Sequence, residues 1–321
     1  MWRFLIKAAV SAVLIWLLLR HRDLGAILGQ MLAVRPLELV LAGVCLWALS
    51  LPSALRWCRI LAAMGETLPL ATAFPLVLIG MFFSLVLPST IGGDAVRMWK
   101  LHQAGVPGQT AVTSVMIDRL VALVAVLLLI TAGLPALYAL VPDPAARGGA
   151  LVLLVLGYGG FALALVLDRL PFGLDRFRLV RWTRQLCADL RHVLLVPRVA
   201  APTLFYSLVN QGGLILVTWI LARGMSFPVT ALDCLIVVPV ATLVSVVPIS
   251  VAGWGVREGA YVAGFGLVGL GASDALALSV LYGLLMLAVN LPGGLVWLLS
   301  ADRKRMARAI AEPGKAGDMG A

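Results

Sequence analysis

Apolar runs of membrane-crossing length recur along the chain at 4–19, 37–55, 73–88, 112–140, 149–167, 201–221, 231–248 and 274–299, with a glycine-rich apolar stretch at 259–272. Runs of about 15–25 residues suit transmembrane helices; the alternating strands of a barrel would show a period of two. The pattern predicts an all-α integral membrane protein with about 6–8 transmembrane helices. A polytopic domain occupies 1–300, and a basic tail over 301–321 has the composition of a disordered segment. The first run follows a basic start and lacks a small-x-small cleavage pattern before Arg20, His21 and Arg22, so it is expected to be a retained span.

Two runs are interrupted in the same way. LPSTIGGDAVR at 87–97 returns, loosened, as VPISVAGWGVRE at 247–258. Aligning Pro88 with Pro248 places Gly93 on Gly253, Val96 on Val256 and Arg97 on Arg257. The run 73–88 is short for a span and meets Pro88 and Gly92–Gly93, while 231–248 contains Pro239 and Pro248 and leads to Gly253 and Gly255. Both predict broken or re-entrant helices, whose freed backbone groups must be buried in protein or face a water-filled cavity. Three full spans (112–140, 149–167 and 201–221) separate the copies, an odd number that would invert the second relative to the first. The repeat elements are then about 73–140 and 231–299.

Between the repeats, Leu179, Trp182, Leu186, Leu190 and Val193 recur at helical steps, with Arg178, Arg181, Arg184 and Arg191 tending to the other side. The segment 172–196 is expected to be an amphipathic helix on the cytoplasmic leaflet, in contact with anionic lipids. Seven arginines against three aspartates between Asp168 and Arg198, with Arg303, Lys304 and Arg305 after the last run, place these loops and both termini in the cytoplasm.

Composition narrows the chemistry. The chain is 62% hydrophobic and 12% charged, so its net charge of +10 speaks for membrane topology and not for nucleic acid. Four scattered cysteines form no CxxC pair, and three dispersed histidines offer no metal site. HExxH, GxSxG and Walker-type patterns are missing, so no enzyme activity, cofactor or nucleotide drive is expected.

The remaining candidates are acid–arginine clusters beside or within apolar runs: Asp94 with Arg97, Asp118 with Arg119, and Arg257 with Glu258. An ionised side chain at the bilayer centre costs at least ~2.5–3.5 kcal/mol, which argues for a purpose. Asp94 and Arg97 share a helical face and can pair, whereas adjacent Arg257 and Glu258 diverge by about 100° and are expected to have different partners. Arg97 and Arg257 could each offer a guanidinium fork to a lipid phosphate in a central cavity, with the acids holding them or meeting a headgroup amine or hydroxyl. The other reading is a structural ion-pair cluster. Asn210, Gln211 and Asn290 are expected to stitch helices together, and Pro292 with Gly293–Gly294 suggests a kink.

Taken in order, RWCRILAAMG at 56–65, FFSLVLPSTIGGDAVRMWKL at 82–101, SVMIDRL at 114–120 and VPISVAGWGVREGAY at 247–261 resemble the membrane domain of the lysylphosphatidylglycerol synthase/flippase family. The resemblance covers nearly the whole chain and implies a domain that moves or handles lipids. The matching positions, taken as substrate-binding candidates, are Pro88, Gly92, Gly93, Asp94, Arg97, Asp118, Arg119, Gly253, Gly255, Arg257 and Glu258. Two-part members continue into a soluble aminoacyl-transferase domain, whereas this sequence runs only about 20 residues past its last apolar run. It is therefore not expected to synthesise an aminoacyl-lipid. Asp118 stands where the family commonly has glutamate.

Three functions stay open: flippase-like movement of a phospholipid or lipid-linked intermediate across a bacterial inner membrane, an intramembrane lipid-modifying enzyme, or a scaffold for a separate one. A homo-oligomer is compatible with all three. The re-entrant model makes a direct prediction. Single cysteines near Gly65–Thr67 and near His102–Gly105, in a background without the native four, should both resist an impermeant thiol reagent in intact cells. Labelling of only one of the two positions contradicts it.

Overall fold

The structure, a computed structural model, describes residues 24–86, 92–166, 178–246 and 253–300 together with Val10, Ser11, Val13, Trp16, Leu17 and Arg20. Most of the run 4–19, Pro88, Pro248 and the tail 301–321 lie outside the described residues. Among those described, every regular element is a helix. They are α1 (Leu24–Leu32), α2 (Pro36–Ala48), α3 (Ser50–Ala63), α4 (Leu70–Val86), α5 (Gly92–Gln103) and α6 (Gly108–Leu140). Then follow α7 (Pro144–Val166), α8 (Arg178–Leu195), α9 (Pro197–Gly224), α10 (Ala231–Ser245), α11 (Val256–Leu267) and α12 (Ala272–Leu299).

Among the described residues, five helical stretches are long and apolar enough to cross a membrane: Pro36–Ala63, Gly108–Leu140, Pro144–Val166, Pro197–Gly224 and Ala272–Leu299. Their outer faces carry large apolar side chains. Val155 and Leu156 on α7, for example, are 70% and 68% exposed. A soluble monomer would not leave so much apolar surface uncovered. The protein is an all-α, multi-pass membrane protein.

The first of these stretches extends beyond the predicted 37–55. A turn at Leu49 separates α2 from α3, and polar side chains satisfy the groups it frees. Asn210 of α9 donates to the Leu49 carbonyl at 3.1 Å and to Ser53 Oγ at 2.5 Å, so it does stitch helices. Continuing the helix to Ala63 brings Arg56 inside the bundle.

The interrupted segments are helix pairs. α4 packs on α5, and α10 packs on α11. The whole order then repeats: α2–α3, α4, α5 and α6 start at Pro36, Leu70, Gly92 and Gly108, and α9, α10, α11 and α12 at Pro197, Ala231, Val256 and Ala272. The packing is reciprocal. α4 lies on α12 of the second set, α10 lies on α6 of the first, and α9 packs on α2 and α3. The contacts between the two sets thus recur with the roles exchanged. Leu68, before α4, and Val106, after α5, belong to one apolar cluster with Leu61, Ala73 and Leu101, so the first pair starts and ends in the same region.

Glycines permit the close contacts. A Cβ on Gly93 would fall on the Gly80 carbonyl and Ser84 Oγ, so the arms of the first pair meet backbone to backbone. A Cβ on Gly293 would fall on the Leu78 carbonyl of α4. The helix α12 runs on through Pro292, and the glycines after that proline serve close packing.

The helix α8 confirms the amphipathic pattern within Arg178–Leu195 and shows where its apolar face goes. Leu186, Leu190 and Val193 are buried against Ile60, Ile117 and Val121, with Trp182 packed at the edge. Arg181 on the other side is exposed. Burial pushes the Asp189 carboxyl on α8 up, and the Gln185 amide and His192 pull it partly back.

Candidate functional site

The first helix pair carries a ladder of charges. Asp118 is central to it. Its Oδ1 accepts from Arg56 Nε at 2.7 Å, and its Oδ2 accepts from Arg97 Nη1 at 3.5 Å. Arg56 also donates from Nη1 to Ser207 Oγ at 3.2 Å, which brings α9 into the network. Asp94, in the first turn of α5, is held bidentately by Arg119: Nε to Oδ2 at 2.9 Å and Nη2 to Oδ1 at 2.8 Å. Arg97 Nη1 stands 3.8 Å from Asp94 Oδ1. The order is thus Ser207, Arg56, Asp118, Arg97, Asp94, Arg119. It runs from α9 through α3, α6 and α5 and back to α6.

Burial grades along the ladder. Asp118 is 2% exposed, Arg56 and Asp94 are 6% and Arg97 is 7%. The Arg119 side chain is 60% exposed at the outer end. Charges buried to this degree are tolerated only when paired and hydrogen-bonded. Arg97 is the least satisfied member. Its Nε and Nη2 are buried and have no hydrogen-bond partner among the described residues.

Position explains how Arg97 is held. Its aliphatic stem crosses Gly80 of α4, where a Cβ would meet Cγ and Cδ at 2.6 Å. Its guanidinium lies 4.2 Å from the centre of the Trp57 ring. Trp57 is fully buried and is anchored by donating from Nε1 to Ser114 Oγ at 3.2 Å. A cation over a desolvated indole gains about 2 kcal/mol and leaves the in-plane N–H groups free.

The second pair is built differently. Gly253 and Gly255 both have positive φ, +80° and +89°, so the G-x-G spacing lets the chain turn into α11. Glu258 folds back over that turn and accepts from the Gly255 N–H with Oε2 at 2.6 Å. Its Oε1 accepts from Arg257, from Nη2 at 2.5 Å and from Nε at 3.1 Å. The expectation of separate partners for Arg257 and Glu258 is therefore corrected. Turned back to cap the helix, the Glu258 carboxylate comes within reach of its neighbour's long side chain. Arg257 also lies 4.9 Å from the Trp254 ring and 5.6 Å from that of Tyr282, on α12. A Cβ on Gly283 would clash with its guanidinium, so each motif arginine lies across a glycine of a helix packed on its own.

The structure thus joins Asp94, Arg97, Asp118 and Arg119 in one network, with Gly93 fixing the approach of its helices. It joins Gly255, Arg257 and Glu258 in another, and Gly253 shapes the turn. Gly92 is buried at the start of α5, and Pro88 lies outside the described residues. Arg97 and Arg257 share no ion-pair or ring partner among the described residues. A cleft of about 880 Å³ lies elsewhere, between the start of α6 (Gly108, Gln109, Val112) and Arg181, Trp182 and Gln185 of α8. Arg56, Trp57, Ser207, Gly80, Trp254, Tyr282 and Gly283 were not among the candidate site residues. Arg56, Trp57 and Trp254 lie inside the motif blocks that carry the family resemblance, and Arg56 is also a charge at the edge of an apolar run.

Paired helix hairpins around buried ion pairs define a multi-pass membrane protein with a polar interior. The family model of the lysylphosphatidylglycerol synthase TM region matches residues 4–294, and the chain belongs to that family. It is thereby tied to lipid-related work at the membrane. A search of curated proteins found no match.

Asp118 should be the most sensitive charge. Asp118→Ala leaves two buried arginines facing each other and should cost about 3–5 kcal/mol. Asp233, a capping-box residue that bonds Thr230 N at 2.8 Å, offers a comparison. Asp233→Ala should cost about 1 kcal/mol. Unfolding of both variants in the same detergent checks the order, and equal losses would contradict the ladder's role.

Proposed function

We propose that this protein moves a phospholipid or lipid-linked intermediate between leaflets, in a bacterial inner membrane with both termini cytoplasmic, and that Arg97 holds the headgroup phosphate. The carrying observation is the pair of unpartnered N–H groups on Arg97, a guanidinium already clamped on its other side. Two adjacent N–H groups of one guanidinium match two oxygens of a phosphate, and lysine cannot reproduce that fork.

The repeated helix order and reciprocal packing support two inverted units that rock against each other. Clustering of Leu68 with Val106 supports a first pair that returns to the side it left. Arg97 is buried, so the headgroup reaches it only when the first pair loosens from α6. Arg257 serves as the second phosphate contact when the opposite side is open. Transport is favoured over an intramembrane enzyme because Asp94, Asp118 and Glu258 all accept from guanidinium groups, which leaves none placed as a general base. With no Walker-type motif in the sequence, the movement is not ATP-driven by this chain.

In proteoliposomes carrying a trace of headgroup-labelled lipid, Arg97→Ala should abolish protein-dependent exchange between leaflets, and Arg97→Lys should reduce it. Thermal unfolding of each variant separates loss of transport from loss of fold. Unchanged exchange in a folded Arg97→Ala variant overturns the phosphate contact.

A further inference from the structure

Resting on the lipid-movement reading, the geometry points to a second headgroup site. The cleft between the start of α6 and α8 takes the phosphate of a lipid lying in the adjacent leaflet, before that headgroup passes along α6 to the ladder.

The lining of the cleft sets its chemistry. A volume of about 880 Å³ suits a ligand of headgroup size. Gly108, Gln109 and Val112 of α6 form one wall, and Arg181, Trp182 and Gln185 of α8 form the other, so one cation and no acid lines it. Arg181 and Gln109 are exposed, and their side chains have no hydrogen-bond or ion-pair partner among the described residues. Gln185 donates to Asp189 at 2.8 Å, which leaves its carbonyl oxygen to accept from a headgroup hydroxyl or ammonium. The positive end of α6 adds to this: no side chain caps it, and its first turn holds no acid. A phosphate here gains charge-assisted hydrogen bonds from a guanidinium that nothing else holds.

Position makes the ligand a lipid. Both α6 and α7 are long enough to span, so the start of α6 and the helix α8 lie at the same membrane face. Leu186, Leu190 and Val193 seat α8 against Ile117 and Val121 of α6, with Ala164 and Leu165 at the end of α7 packed alongside. The cleft therefore opens at headgroup level, where indoles such as Trp182 are enriched.

The same helix leads to the ladder. Val112 and Arg119 are seven residues apart on α6, two turns along one face and about 10 Å along the axis. Arg119 is the ladder's exposed end, and it grips Asp94. A headgroup held in the cleft thus stands one short step from the arginine that closes the ladder.

The test titrates the full chain in a nonionic detergent, by calorimetry, with dioctanoyl phosphatidylglycerol, dioctanoylglycerol and inorganic phosphate. Phosphatidylglycerol should bind and dioctanoylglycerol, which lacks the phosphate, should not. Arg181→Gln, at an exposed position, should fold and weaken the phospholipid at the cleft about tenfold. Gln109→Leu should weaken it in the same direction. An isotherm untouched by both substitutions overturns the site. Dioctanoylglycerol binding with the same dependence on Arg181 overturns the phosphate contact, and inorganic phosphate binding as tightly as the phospholipid overturns the lipid ligand. Exchange in proteoliposomes separates this site from the reading it rests on. Arg181→Gln should slow exchange most at a low fraction of phosphatidylglycerol, and exchange unaffected at every fraction overturns the passage from cleft to ladder. Binding that depends on Arg181 in a protein that exchanges no lipid keeps the site and overturns lipid movement instead.

Discussion

Asp118 sits between two arginines in the interior of a membrane bundle, and much of the architecture follows from that one carboxylate. Its two oxygens tie Arg56 of α3 to Arg97 of α5, and through Ser207 the tie extends to α9. A buried ion pair admits few geometries, and breaking it leaves an uncompensated charge, so it selects one arrangement. The same network holds Arg97 by one nitrogen and one face. Asp118 takes Nη1, Trp57 covers the π-surface, and the remaining N–H groups stay unpartnered.

The two motif copies solve one problem with different chemistry. In the first, an acid from the helix after the pair holds the arginine. In the second, an aromatic ring from the helix after the pair, Tyr282, lies by it, and the acid is its own neighbour Glu258. Asp94 and Trp254 occupy matching places in the two motifs, so acid and ring have changed roles. Even the glycines differ in purpose: Gly93 allows two backbones to touch, whereas Gly253 and Gly255 allow positive φ. The helix order and pairing recur while the electrostatics do not.

Much of this was legible in the chain. Apolar run lengths located the spans, and proline with glycine located the breaks, because in lipid the backbone must satisfy itself and any interruption shows. The offset between the motif copies pointed to the repeat, which the helix order extends to α2–α3 and α9. Arg56 was missed because a charge at the end of a run looks like a boundary; only its pairing with Asp118 lets the helix carry it inward. Arg257 and Glu258 were misread because angular separation on a helix ignores a carboxylate that turns back to cap and an arginine long enough to follow it. Gly80 and Gly283 gave no local sign at all. Their purpose depends on which side chain lies across them, and that is a property of packing.

The claim at the centre of the account is that Arg97 meets a lipid phosphate directly. Dipolar recoupling between ¹⁵N-labelled guanidinium groups and lipid ³¹P measures that contact in a bilayer. With protein reconstituted in phosphatidylglycerol, the account predicts a nitrogen–phosphorus separation of about 4 Å, the span of one charge-assisted hydrogen bond and a P–O bond, that is lost in Arg97→Lys. A dephasing curve in the unaltered protein that matches Arg97→Lys would contradict it.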